Sequence, residues 1–240
     1  MKKVLFTLNV DDYAPRIKEL TYPLLKFHAR KIGADFREIT KRKWPQWPTV
    51  YEKLQIHELG RGYDWVLYFD ADTLVHPDCI DFTNYFAPDT CGHNAQDFAN
   101  IRFRYDKHFQ EDGRNIGTCG WFVIAPASCI DLWRPTEQPL EEVLGNCYPI
   151  EMEVNSANCD RGHLVDDYVI SRNIARFRLK HDTVKEILPR IKAPENGFFW
   201  HQYTIGNDEK VRQMKEILWQ WKIPHPALAE GWDWLFDKKD

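Results

Sequence analysis

The chain opens on an apolar run, Lys2 to Asn9, whose core Val4-Leu5-Phe6 is continuous rather than alternating. That is the pattern of a strand buried on both faces. Asp11-Asp12-Tyr13 predicts a turn, and Pro15 suits the first position of a helix, where its missing N–H is no loss. Ile17, Leu20, Leu24 and Phe27 recur at helical spacing through about Ile32. Pro23 is expected to kink this helix and Gly33 to stop it. Ala34 to Thr40 reads as a second strand. The start is therefore β-α-β, which implies a parallel pair with a right-handed crossover.

A proline-broken basic loop follows, Lys41-Arg42-Lys43-Trp44-Pro45-Gln46-Trp47-Pro48. Thr49 reads as the N-cap of a helix through Leu59, with Glu52 closing a capping box and Gly60 and Gly62 ending it. The run from Asp64 to Val75 reads as a third, doubly buried strand. The region from Asp97 to Asn115 is polar and loop-like. Thr118 to Ala125 predicts another strand, Leu164 to Phe177 and Asn207 to Trp221 predict helices, and Phe198-Phe199-Trp200 a short strand. No internal repeat, low-complexity tract or linker interrupts the pattern. The expectation is one α/β domain over residues 1–240, a mostly parallel sheet flanked by helices, with 207–240 a helical Trp-rich segment.

Composition narrows the function classes. Hydrophobic residues at 43% support a packed core and argue against disorder. A net charge of -4 gives no footprint for nucleic acid. No apolar run reaches the length of a membrane span, so no transmembrane segment is expected. A strand beginning almost at Met1 leaves no room for a leader peptide. The six cysteines, 79, 91, 119, 129, 147 and 159, form no Cys-x-x-Cys pair. They read as free thiols in a reducing compartment, and a cytoplasmic location is expected.

The chemistry-bearing residues stand at the ends of these elements. In open α/β sheets ligands bind at the carboxyl ends of strands, and the third strand runs into Asp70-Ala71-Asp72. Two carboxylates there make a hard-oxygen site for Mg²⁺ or Mn²⁺, the ions that carry phosphates. Asp-x-Asp alone is common in an aspartate-rich chain, so the strand context carries this reading. His201 follows a short apolar strand; a nitrogen beside two carboxylates favours Mn²⁺. Asp166 and Asp167 open a helix, where acidic residues complement the dipole, or one of them faces the site. Adjacent helical residues point about 100° apart, so only one is expected to face the site, with Asp167 favoured. Lys53 reads as a solvated helix residue unless its helix lies against the metal strand. The tryptophans of the 41–48 loop either pack on the sheet or cover a substrate, and Trp219, Trp221, Trp232 and Trp234 carry the same ambiguity.

In order and type these residues resemble the glycogenin-like glycosyltransferases of family eight, on the GT-A fold. Phe6-Thr7-Leu8-Asn9-Val10-Asp11-Asp12-Tyr13 is similar to the family's first strand and its nucleotide-contacting Tyr. Lys53 to Leu59 and Tyr63 to Val75 resemble its most specific block. Gly120 to Ser128 resembles the strand lining the sugar pocket, and His201 matches the third metal ligand. The resemblance implies a Mn²⁺ or Mg²⁺ ion on Asp70, Asp72 and His201, and a nucleotide-diphospho-sugar donor, UDP-linked in the family. It also implies a hydroxyl acceptor and retention at the anomeric carbon. Nucleotide and sugar contacts would come from Thr7, Asn9, Tyr13, Lys53, Asp70, Ala71, Asn115 or Thr118, Gly120 and Lys210, and catalytic roles fall to Asp166 and Asp167. The chain departs from the family in three places. Asp166-Asp167 stands where an acidic-Gln pair is usual, which leaves inversion with a carboxylate base open. The pocket Asn aligns with Thr118 or, three residues earlier, Asn115. Gly206 and Lys210 come late after His201. A neighbouring branch, such as the galactosyltransferases of fungi and plants, accommodates these departures. A haloacid-dehalogenase-type phosphoryl-transfer enzyme, a sugar-nucleotide pyrophosphorylase and a non-catalytic carbohydrate-binding protein are the rival readings.

Overall fold

The computed structural model describes residues 1–97, 116–147, 161–194, 197–202 and 205–223. Its strands, in chain order, are β1 (Lys3–Leu8), β2 (Ala34–Ile39), β3 (Trp65–Phe69), β4 (Leu74–Val75), β5 (Thr90–Asp97), β6 (Ile116–Pro126), β7 (Lys180–Thr183) and β8 (Phe199–Trp200). The helices are α1 (Pro15–Lys31), α2 (Ile56–Leu59), α3 (Leu140–Cys147), α4 (Val165–Arg176), α5 (Val184–Ile187) and α6 (Asn207–Gln220). Six strands make a central sheet in the order β2-β1-β3-β6-β5-β7, and β4 with β8 makes a separate two-stranded ladder. β1 pairs parallel with β2 and β3, and β5 with β7, while β6 runs antiparallel to β3 and β5. The sheet is therefore mostly parallel, with one reversed strand.

Alternation along the strands divides the core in two, because successive side chains point to opposite faces. Val4, Phe6, Val66, Tyr68, Val123 and Ala125 share one face with Val165, Val169 and Ile170 of α4. Leu5, Leu67, Phe69, Phe122 and Ile124 share the other with Leu25 and Ala29 of α1. A third cluster ties α1 to α6 through Leu20, Leu24, Val211 and Met214. The five cysteines described are all free thiols. No helix among the described residues is long and apolar enough to cross a membrane.

Several expectations change. The run from Asp64 to Val75 is two strands: Thr73 N–H donates to Asp70 O at 3.0 Å, and the resulting turn moves β4 into the second ladder. Thr49 to Leu59 is a 3₁₀ segment, Thr49–Gln55, followed by the single turn of α2. Pro48 holds the N-cap position and no side chain caps it. Glu52 closes no capping box. It is fully buried, and its carboxylate accepts the Lys43 and Trp44 amides, each at 2.8 Å. The helix continues through Pro23. β5, α3, β7 and α5 had no sequence signal; Thr-Cys-Gly-His-Asn-Ala-Gln-Asp is too polar to read as a strand. Trp47 stacks on Tyr51 at 3.9 Å between ring centroids and Trp44 meets the same ring edge-on, so this loop packs on the body. Trp221 is buried and Trp219 exposed. Asn115, Trp232 and Trp234 lie outside the described residues.

Candidate metal and substrate site

Sheet topology builds the site. β1 and β3 are parallel neighbours, so their carboxyl ends meet at one edge. β6 enters antiparallel there, and Asp70 N–H donates to Trp121 O at 2.9 Å. Asp70 and Asp72 hang from the turn that ends β3. Thr21 of α1 pins this turn by donating its hydroxyl to Ala71 O at 2.5 Å. The β4–β8 ladder, with Leu74 opposite Trp200, brings the following residue, His201, back over the aspartates. Trp121 lies flat against the imidazole, ring centroids 5.1 Å apart and planes 14° from parallel.

One oxygen of each of Asp70 and Asp72, with one ring nitrogen of His201, forms a group within 4.8 Å of one another. His201 Nε2 stands 3.6 Å from Asp70 Oδ2 and 3.3 Å from Asp72 Oδ1. Two hard carboxylates and an imidazole, half enclosed at the end of a strand, fit an ion of the Mn²⁺ or Mg²⁺ kind. Lys210 Nζ ion-pairs with Asp72 Oδ2, and the Tyr13 hydroxyl donates to the same oxygen at 3.2 Å. Burial pushes the Asp72 carboxyl up, but His201 and Lys210 outweigh it and hold the group well below the usual carboxylate range. Asp72 stays ionised, as a metal ligand must.

Lys53 links this cluster to a second one. Its ammonium lies 2.8 Å from Asp70 Oδ1 and 2.6 Å from Asp166 Oδ2, and it reaches Gly120 O at 3.4 Å. The side chain is only 4% exposed. Burial alone would depress its pKa, but the two carboxylates reverse the sign and keep it charged. Asp167 Oδ1 accepts the Gly120 N–H at 2.5 Å. Burial first, and then the neighbouring Asp166, push the Asp167 carboxyl well up.

Both aspartates reach one place, which corrects the expectation that the helix would present only one. The reason is Gly120. A Cβ there would collide with Asp166 Oδ2 and stand 2.9 Å from Asp167 Oδ1. The missing side chain is the space both carboxylates use.

The groups line a cleft of about 340 Å³ that includes Leu8, Val10, Tyr13, Val50, Asp72 and Lys210. A smaller lobe of about 70 Å³ adjoins it, lined by Cys119, Trp121, Leu164, Asp166 and Asp167. Val50, Lys53, Asp70, His163 and His201 line both. Ala71 lines the larger cleft. Thr7 and Thr118 are fully buried and line neither lobe; the Thr118 N–H donates to Ser171 Oγ at 2.9 Å. Asn9 is held by Glu38 at 3.0 Å and Lys18 at 3.1 Å, and it lines neither lobe. Sequence reasoning missed Tyr68, Trp121 and His163. For Tyr68 a signal existed: it stands two residues before Asp70 and so shares its face of the strand. Trp121 and His163 join the site only through pairing and packing.

No protein-family profile matches the sequence, and no curated protein is similar to it. Among solved structures, the chain is similar to a glycosyltransferase involved in the glycosylation of the major capsid of PBCV-1. The identity is 12%, the TM-score 0.50, and the match covers 90% of this chain and 100% of that one. Looser likenesses are to the galactosyltransferase LgtC, at 10% identity and TM-score 0.40 over 90% of this chain and 96% of that one. A third is GlyE of Streptococcus pneumoniae, at 14% and 0.45, over 99% of this chain and 63% of that one. At these identities the likeness is one of fold. The mixed α/β sheet flanked by helices is the fold class shared with the first of these glycosyltransferases.

Proposed function

We propose that the chain is a metal-dependent glycosyltransferase that moves a sugar from a nucleotide-diphospho-sugar to an acceptor hydroxyl. The observation that carries the reading is the Asp70, Asp72 and His201 group at the strand end, opening on a cleft large enough for more than a free ion. Glycosyl transfer by the protein that shares this fold over its full length supports it. Charge supports it too. The four carboxyl groups of Asp70, Asp72, Asp166 and Asp167 outnumber the two ammonium groups of Lys53 and Lys210 among them. A divalent cation offsets that acidic excess, which a diphosphate would otherwise meet as repulsion. We propose a UDP-linked donor on the resemblance of Tyr13, Lys53 and the Asp70–Asp72 block to the family described above.

When bound, the ion would be held by Asp70, Asp72 and His201 and would offset charge on the departing diphosphate. Lys210 would turn from Asp72 toward the phosphates as they arrive. Lys53 holds Asp166 in place beside the reacting sugar. In the transfer, the bond from the anomeric carbon to the diphosphate oxygen breaks and one to the acceptor oxygen forms. The hydroxyl proton then goes to the leaving phosphate. We favour retention, because Asp166 is tied to Lys53 and Asp167 accepts the Gly120 amide, so neither carboxylate is left free to act as a general base. The test is release of free sugar from UDP-sugars with Mn²⁺ and with chelator. Turnover of at least one donor only with metal is expected. Metal-independent turnover, or none across UDP- and GDP-sugars, refutes the reading.

A further inference from the structure

Two of the described cysteines, distant in sequence, share one place in the fold. Gly92 of β5 pairs with Ile124 of β6 in antiparallel register, so Cys91 falls opposite Ala125, just upstream of Cys129. Cys91, Ala125 and Cys129 pack in the same core cluster, and both thiols are free. Cys129 Sγ accepts hydrogen bonds from the Cys91 thiol and from the Cys91 N–H. The Cys129 thiol donates to Asp89 O at 3.4 Å. Both residues are buried, but Pro88, Asp89, Ala127 and Ser128 around them are exposed. The pair therefore sits just beneath the surface. Pro126 pairs with Trp65, so this is the edge of the sheet where β3 begins, away from the aspartates where it ends.

We propose that Cys91 and Cys129 are an oxidation site that closes to a disulfide within the native fold, with a low-molecular-weight disulfide as the oxidant. The Cys129 thiolate attacks one sulfur of the reagent and breaks its S–S bond. A mixed disulfide forms, and the released thiolate takes up a proton. Cys91, deprotonated in turn, attacks Cys129 Sγ and displaces the second thiol. Two cysteine S–H bonds are lost and one S–S bond forms. The reagent gains two electrons and two protons and leaves as two thiols. The order of attack follows from the surroundings. Hydrogen bonding from the Cys91 side chain outweighs burial and brings the Cys129 thiol down to about 7. A thiol with a pKa near ambient pH is the best attacker. Burial pushes Cys79 well up, and burial with the neighbouring Asp167 does the same to Cys119, so those thiols stay protonated and inert. The bridge closes a ring that contains β5 and β6, and it joins segments already packed together. A crosslink over so long a ring stabilises by constraining the unfolded chain. The pair stands apart from the metal-dependent reading above and does not rest on it.

The experiment incubates the folded chain with oxidised glutathione near neutral pH and maps its peptides by mass without reduction. A link between the peptide carrying Cys91 and the peptide carrying Cys129 is expected, and dithiothreitol should reverse it. The linked chain should melt roughly 5–15 °C above the reduced one. Cys91→Ala should hold glutathione on Cys129, because no second thiol is there to displace it. Cys129→Ser should leave Cys91 unmodified. If Cys91→Ala does not fold, Cys91→Ser gives the same readout. The chain unfolded in urea, where every thiol is reachable, shows that the reagent is active. If the unfolded chain is oxidised while Cys91 and Cys129 of the folded chain stay free, the proposal is overturned. Links from either residue to another cysteine, with none between the two, overturn it as well. So does a linked chain that melts below the reduced one, since the bridge would then distort the fold.

Discussion

Lys53 joins the two halves of the site, and its worth is electrostatic. It is a buried cation between two carboxylates, so removing it leaves Asp70 and Asp166 uncompensated. Breaking a buried pair in this way costs about 3–5 kcal/mol. Lys53→Met should therefore lower the denaturant midpoint markedly and abolish metal-dependent turnover, which equilibrium urea unfolding and the sugar-release assay check together. His28 is the opposite kind of residue, a titratable group with nothing to titrate against. It is buried beside Phe69, and neither ring nitrogen has a hydrogen-bond partner among the described residues. Burial pushes its pKa down to about 4. Its unfolded value is about 6.5. The fold therefore favours the neutral ring, and this contribution is complete above pH about 6.5 and drains away as pH falls toward 4. The loss over that window is about 3 kcal/mol. His28→Leu should flatten the fall in melting temperature between pH 7 and pH 4; an unchanged slope rules out His28 as its source.

At the scale of elements, the loop between β1 and α1 stores backbone strain. Asp11, Asp12 and Ala14 all have positive φ, at 57°, 49° and 38°. Ala14 is the residue from which α1 starts, and its carbonyl accepts the Ile17 and Lys18 amides at 2.9 and 3.2 Å. A left-handed conformation costs a residue with a Cβ roughly 1–2 kcal/mol, which glycine avoids at some entropic cost in the unfolded chain. Ala14→Gly should therefore leave stability unchanged or raise it by up to about 1 kcal/mol, where glycine in a helix-preceding loop would ordinarily lower it. Urea unfolding checks the sign. The same loop carries Tyr13 to Asp72, so the strain sits where the site needs a defined geometry. Gly120 plays the matching role in β6. Gly120→Ala should displace the Asp166 and Asp167 carboxylates and cost about 1–3 kcal/mol. Turnover should fall further than that stability loss accounts for, as steady-state kinetics on the folded variant would show.

Across the whole molecule, the site is where three packing units meet: the sheet, the β4–β8 ladder and α6. Asp70 belongs to the first, His201 to the second and Lys210 to the third. A ligand that bridges them binds only the folded chain. At a hundredfold excess over its dissociation constant, it should add about 2.7 kcal/mol. For a chain of this size that is a rise of roughly 5–10 °C in melting temperature. UDP with Mn²⁺ should produce it, and UDP with chelator should not. Equal shifts in a thermal scan would mean that the nucleotide is held without metal.

Local pattern alone carried much of this protein. Val4-Leu5-Phe6 and Trp65 to Phe69 are apolar without alternation, because both faces of their strands are covered, and such runs are legible without a partner. Pro15 and Gly33 bracket α1 for reasons internal to the chain: a missing N–H at one end and freedom of φ at the other. The aspartates ending β3 could be read because a doubly buried strand that stops in two charges has to emerge somewhere polar. Other features were set only by tertiary structure. β5 is polar, and it is a strand because β6 and β7 supply its hydrogen bonds. Lys53 looked like a solvated lysine until the 3₁₀ segment placed it between Asp70 and Asp166. Asp166 and Asp167 share a site because Gly120, 46 residues before the first of them, lacks a side chain. Tyr13 became a partner of Asp72 only through the fold of the loop after β1, whereas the spacing of two already set Tyr68 on the face of Asp70. Burial and periodicity are properties of a segment, whereas the charge balance of a site belongs to all the segments that converge on it.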